Sequence, residues 1–356
     1  MSKYFTIVPL EEQLGIGDQL YQMQTLYNMG RYFGWEYQHN AAAVPWRSRG
    51  KLISLSRFLD RFNYHEFLGL KLIPQIETAG NLKIIDSKDL FEHLKIHNGD
   101  PKKVAAEFEE YEALALVFNP WFYQDYAKID RHHAIPLTHF LPLNYLYNEA
   151  RKKDPVFIQS DPNKIRVVIH YRLMEQIWKN TSTGITQPLM FSEVFKKFVA
   201  PPEAYFNLLD VLTSCVGSEK LEIWFYSDGL PSLPWLTKML MKKKHLNIAQ
   251  ALGEARELLS FQKMNLKKMT AQLEPNHIRI GDNRFLLREI IHSVATAPVV
   301  LSARHCGSFR CDFLWDSAFP DLGLRSPTSL PVISVNEDSP SVFREKLGHY
   351  LPTLFA

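Results

Sequence analysis

Four short stretches of the chain carry residue types able to do chemistry. Gly15-Ile16-Gly17-Asp18-Gln19-Leu20 sets two glycines before a helical pattern. Glycine lets a backbone turn tightly and approach a ligand, and the N–H groups of a following helix start can hold an anion or a sugar oxygen. Position 20 is Leu rather than the third glycine of the dinucleotide fingerprint, and a plain turn with Asp18 capping the helix is the competing reading. The run Val167-Val168-Ile169-His170-Tyr171-Arg172 is β-branched and ends in polar groups. It places His170 and Arg172 at the carboxyl edge of a parallel strand, on one side of an extended segment. The guanidinium fork of Arg172 suits a diphosphate, whereas a structural histidine beside a salt-bridged arginine is the alternative.

The third stretch, Trp224-Phe225-Tyr226-Ser227-Asp228-Gly229, is an apolar strand stopping at small polar residues. Such an edge can bind a base or ribose, and it can equally cap a helix. In the fourth, Ser302 to Arg310, Gly307 and Ser308 lie between a strand and a helical pattern. Donors at a helix start there can hold a phosphate, helped by Arg304 or Arg310.

Other features point elsewhere. His132, His133 and His139 lack a carboxylate or cysteine companion at a metal spacing, so no metal site is expected. The run Lys242 to His245 solvates a helix face or faces an anionic surface rather than reading nucleic acid, since no aromatic interleaving accompanies it. Neither a G-x-S-x-G elbow nor a P-loop is present.

The elements that must position these residues alternate in type. The N-terminal half reads as a strand at Phe5 to Leu10, the glycine loop, a helix over Gln19 to Phe33, and a strand at Trp35 to Tyr37. Helices over Leu52 to Phe67 and Ser87 to His97 follow, with a strand at Asn81 to Ile85 between them. The charged, proline-bearing stretch Arg151 to Lys164 marks a junction. Beyond it come strands at 166–170, 221–226, 277–280 and 298–301, with helical segments at 191–198, 203–214, 235–246, 285–294 and after Ser308. Such alternation predicts an α/β fold of two Rossmann-like domains, 1–155 and 156–356, with a cleft between them and the chain end able to pack back on the N-terminal domain.

Composition bounds the function. A chain of 356 residues with 46% hydrophobic and 22% charged residues can bury a large core. No window holds the roughly 18 apolar residues of a membrane span, which leaves peripheral membrane contact open. The balance of 41 Lys plus Arg against 38 Asp plus Glu argues against a broad nucleic-acid footprint, so any basic site must be focused. Three cysteines, Cys215, Cys306 and Cys311, form no disulfide framework or zinc spacing, and MSKYFTIVPL lacks signal-peptide features. A cytoplasmic location is expected.

The four stretches together resemble the fucosyltransferase superfamily, which includes bacterial α-1,2- and α-1,6-fucosyltransferases and protein O-fucosyltransferases. The glycine loop is similar to its G-x-G-N-Q-L/M loop, with Asp18 in place of asparagine. His170-Tyr171-Arg172 resembles its H-x-R-R-x-D segment, with Leu173 replacing the second arginine and Glu175 as a displaced acidic residue. Tyr226-Ser227-Asp228 resembles a strand ending in S-D, and Gly307-Ser308-Phe309 its late S-S-F or N-S-x-F element. The elements keep the family's order across residues 15 to 310.

This resemblance implies a GT-B-like glycosyltransferase that uses GDP-fucose as donor substrate, generally needs no metal and has no other cofactor. It would be inverting, with a glycan, glycolipid precursor or peptide as acceptor. It implies that Arg172 contacts the donor diphosphate, that His170 organises the same strand end, and that Glu175 completes the catalytic set. Asp228, beside Ser227, would bind the nucleotide, Ser308 and Phe309 beside Gly307 would hold the pyrophosphate, and Gly15, Gly17, Asp18 and Gln19 would shape the cleft. Glu11, Glu12, Asp18, His39 and Glu175 are all candidates for the acceptor base. A transferase using another nucleotide sugar, or a catalytically silent glycan-binding scaffold of the same fold, is the alternative.

Overall fold

A computed structural model describes residues 3–8, 26–27, 30–31, 33–40, 64–73, 81–117, 143–171, 178–180, 186–188, 200–227, 229–280, 287–303, 330, 333–335 and 338–354. Packing divides them into two compact units, one holding those up to Val156 and the other those from Phe157 onward. The fold is α/β, with a parallel sheet in each unit.

The first unit runs β1 (Tyr4–Ile7), β2 (Glu36–Asn40), α1 (Tyr64–Phe67), β3 (Lys71–Ile73), β4 (Leu82–Asp86), α2 (Ser87–Ile96), α3 (Pro101–Glu107), β5 (Ala113–Val117) and α4 (Leu143–Lys153). Its sheet order is β3-β2-β1-β5-β4. Four of the five residues of β5, Ala113 to Leu116, are buried, as a strand covered on both faces requires. Local chemistry starts the helices: Asp86 accepts from the Lys88 N–H at 2.7 Å ahead of α2, and Asp100 caps α3 with Pro101 in its first turn. Gly30 is required by close approach, since a Cβ there would lie 2.9 Å from the Trp35 carbonyl oxygen. Phe5 stacks on Phe33 with centroids 5.5 Å apart, and Trp35 packs tilted against the two at 5.2 and 6.5 Å.

The second unit runs β6 (Ile165–Tyr171), β7 (Trp178–Asn180), β8 (Thr186–Pro188), α5 (Pro202–Val216), β9 (Leu221–Ser227), α6 (Leu233–Lys244), α7 (Ile248–Leu273), β10 (His277–Ile280), α8 (Leu287–Thr296), β11 (Val299–Ser302), β12 (Ile333–Ser334) and α9 (Pro340–Leu354). β7 and β8 form a separate antiparallel ribbon. The main sheet has the order β10-β9-β6-β11-β12 with every pairing parallel. In chain order its strands lie third, second, first, fourth, fifth, the doubly wound arrangement whose direction reverses beside the first strand.

The two faces of this sheet differ in chemistry. Ile165, Val167, Ile169, Tyr171, Phe225, Val299 and Leu301 look onto an apolar core completed by Leu208 and Leu212 of α5 and Phe343 and Leu347 of α9. Each such fully buried Leu or Phe contributes about 1.5–3 kcal/mol. The alternate residues, Arg166, Glu222, Trp224, Tyr226, His170 and Ser302 around the apolar pair Val168 and Val300, are buried and mostly polar. α8 is tied to that polar face: Glu289 bonds His277 at 2.8 Å, and Thr296 Oγ1 accepts from Arg166 at 2.7 Å. No described helix is long and apolar enough to cross a membrane.

Candidate functional site

The pairing register draws one polar row across the carboxyl end of the second sheet. Arg279 of β10 pairs with Tyr226 of β9, Tyr226 with His170 of β6, His170 with Ser302 of β11, and Ser302 with Ser334 of β12. Register partners in parallel strands project to one face. The sheet order reverses between β6 and β11, so His170 and Ser302 sit at the switch point, where open α/β sheets bind ligands outside the strand ends.

His170, Tyr226 and Ser302 are buried. His170 Nδ1 lies 3.4 Å from Ser302 Oγ, a long contact that orients the ring only weakly. The strand end itself is held by Tyr205 of α5, whose hydroxyl donates to the His170 carbonyl at 3.0 Å while its ring meets Tyr171 edge to face at 5.5 Å. Burial, reinforced by the Glu289 carboxylate, raises the Tyr226 phenol far above its ordinary range, so it stays a neutral hydroxyl at physiological pH.

Next toward the amino ends of the strands, aromatic and ionic groups support the row. Trp224 stacks on His277 with centroids 4.2 Å apart, and the Arg166 guanidinium lies 5.3 Å from the Trp224 ring. Glu289 joins His277 at 2.8 Å and Arg279 at 3.4 Å, and these partners hold its carboxyl below the ordinary range, the His277 bond being the largest cause. Arg279 thus brings a partly exposed cation to the end of the row. Hydroxyls and an imidazole beside a guanidinium can hydrogen-bond phosphate or ribose oxygens and attract a diphosphate.

Of the residues expected from sequence, His170, Ser227 and the base candidate His39 are described, whereas Glu11 and Glu12 lie outside the described residues. His170 lies at the switch point. Ser227 ends the neighbouring strand but belongs to the opposite face, in register with Tyr171 and Ile280, and its hydroxyl accepts from the Gly229 N–H at 3.2 Å in the turn that follows. The two therefore share an edge of the sheet without sharing a face. Arg172, Glu175, Asp228, Gly15, Gly17, Asp18, Gln19, Gly307, Ser308 and Phe309 lie outside the described residues. Arg172 directly follows Tyr171, the last residue of β6. Sequence reasoning missed the Arg166–Trp224–His277–Glu289 support; the signal was a charged residue inside each of two β-branched or aromatic runs, at Arg166 and Glu222.

In the first unit, His39 is the next-to-last residue of β2, and its Nδ1 pairs with the Tyr37 hydroxyl at 2.6 Å, both side chains buried. A cavity of about 470 Å³ beside β4 has five carboxylates in its lining, those of Asp86, Asp89, Glu92, Glu107 and Glu110, against Lys83 and His93, a balance unfavourable to a diphosphate. Glu107 there bridges His93 and His97, the latter at 2.6 Å. No group of His, Cys, Asp or Glu among the described residues is arranged to hold a metal ion. No protein family, curated protein or solved structure matches the chain.

Proposed function

We infer that this protein is a nucleotide-sugar glycosyltransferase, and that its donor is GDP-fucose. The observation that carries the reading is His170 and Ser302 side by side at the switch point of a doubly wound parallel sheet, with Arg172 two residues after His170 in the sequence. The sequence resemblance supplies the donor's identity. The reading takes the two units as the Rossmann-like pair of a GT-B-like transferase, with the donor on the second.

The chemistry requires little beyond what this edge offers. The bond from the sugar anomeric carbon to the diphosphate oxygen breaks, a bond from that carbon to an acceptor hydroxyl oxygen forms, and the hydroxyl proton passes to a base. GDP leaves carrying the electron pair. Arg172 and neighbouring hydrogen-bond donors stabilise the charge growing on the diphosphate. Attack opposite the leaving group inverts the anomeric centre. The acceptor is a glycan, a glycolipid precursor or a peptide.

A second reading rests on Leu173, which stands where the resembled segment has its second arginine. Loss of that cation changes the diphosphate contacts, and a different nucleotide sugar is the donor in this version. Release of the free nucleoside diphosphate from GDP-fucose, GDP-mannose and UDP-glucose separates the two. Slow release from GDP-fucose alone, abolished in Arg172→Ala, is the expected result. Release only from another donor favours the second reading, and none from any donor favours a silent glycan-binding scaffold.

A further inference from the structure

The connection from β9 to β10 contains two helices where one would return the chain. α6 has 12 residues and α7 has 26. At ~1.5 Å per residue these are about 18 and 39 Å long, and the seven-residue strand β9 spans about 23 Å. α7 therefore matches the strand and α6 laid end to end. Packing agrees: Leu266, Met269 and Leu273, late in α7, join the main core, whereas Ala251, Ala255 and Leu258, early in α7, cluster with Leu236 and Leu240 of α6. By these lengths and contacts, the turn of the hairpin formed by α6 and α7 lies beyond the carboxyl edge of the sheet, the edge that carries His170 and Ser302.

The tip of that hairpin is cationic and apolar together. From Gly229 to Gly253 the chain has no Asp or Glu, and its charged residues there are Lys238, Lys242, Lys243 and Lys244. Lys242 is exposed, Met241 beside it is 37% exposed, and Ile248 across the turn is 67% exposed. His245 turns the chain with φ 54°, and Asn247 with Gln250 closes a capping box that starts α7, so the turn is a defined structure.

We propose that this tip is a docking surface for an anionic lipid bilayer. Lysines at such a surface gain from the headgroup potential, and exposed Met241 and Ile248 gain from entering the acyl boundary. A nucleic acid rewards the lysines but offers Ile248 no apolar interior. The proposal is independent of the donor assigned above.

Vesicle co-sedimentation of the full chain tests it without donor or turnover. The protein pellets with phosphatidylcholine vesicles containing phosphatidylglycerol and stays in solution with phosphatidylcholine alone. Lys242→Ala/Lys243→Ala/Lys244→Ala lowers the partition coefficient by roughly fivefold per lysine. Ile248→Ser, at an exposed site where folding is undisturbed, lowers it several-fold while leaving its salt dependence in place. Failure to pellet with the anionic vesicles overturns the proposal. So does unchanged pelleting in both variants, or single-stranded DNA binding that is lost in the lysine variant and unaffected by Ile248→Ser.

Discussion

Ser302 Oγ stands 3.4 Å from His170 Nδ1 although the two residues are 132 positions apart in the chain. The parallel pairing of β6 with β11 brings them together where the sheet order reverses. If this edge holds the nucleotide, Ser302→Ala weakens guanine-nucleotide binding by a factor of about 2 to 10, the range of one modest hydrogen bond. Its melting temperature should move little, because among the described residues the hydroxyl's contacts, with His170 Nδ1 and the Ala303 carbonyl, are both 3.4 Å long. Calorimetric titration beside a thermal melt checks both, and unchanged affinity in Ser302→Ala and His170→Ala alike would remove the switch point from the site.

Tyr205 acts one step behind. Its hydroxyl donates to the His170 carbonyl at 3.0 Å in a buried setting. Tyr205→Phe leaves that carbonyl with one donor fewer and should cost ~1 kcal/mol in denaturant unfolding. Amide exchange near the end of β6 should quicken in the same variant, and exchange no faster than in the parent would show that the hydroxyl does not secure the strand end.

Glu289 gives the second unit an acid limb. Its bond to His277 and the nearby Arg279 set its folded value below the ordinary 4.5, so ionised Glu289 stabilises the fold. That contribution is present above the unfolded value and is lost as pH falls through the depressed folded value. As pH falls below about 4.5 and on through the depressed folded value, the melting temperature of the parent should fall more steeply than that of Glu289→Gln. Parallel curves would count against the assignment.

Gly69 is a backbone requirement in the first unit. Its φ is +77°, and a Cβ there would lie 2.5 Å from the Leu146 carbonyl oxygen of α4. Gly69→Ala should therefore destabilise by at least ~1–2 kcal/mol from the left-handed conformation alone, with the clash adding to it. A denaturation midpoint equal to the parent's would refute that close approach.

Much of the second sheet was legible because its strands are β-branched or aromatic runs bounded by breaks: the expected 277–280 is the observed β10, and 166–170 lies within β6. α7 was not, because its apolar residues serve two partners in turn, α6 early and the main core late, so no single stripe runs its length. β5, Ala-Leu-Ala-Leu-Val, is built largely of helix formers and is a strand because tertiary burial overrides propensity. At the site, a histidine ending a strand could be read directly. Its partnership with Ser302 could not, since it depends on which strands neighbour one another. Ser227 shows the converse, a correct strand end whose hydroxyl closes the local turn on the other face.

The central claim is tested most directly by titrating the purified chain with GDP-fucose and with GDP, beside the Arg172→Ala variant. The account predicts saturable binding of both ligands by the parent and loss of at least about tenfold in affinity in the variant, as expected when a charge-assisted diphosphate contact is removed. Absence of binding to either ligand, or equal binding by parent and variant, would contradict it.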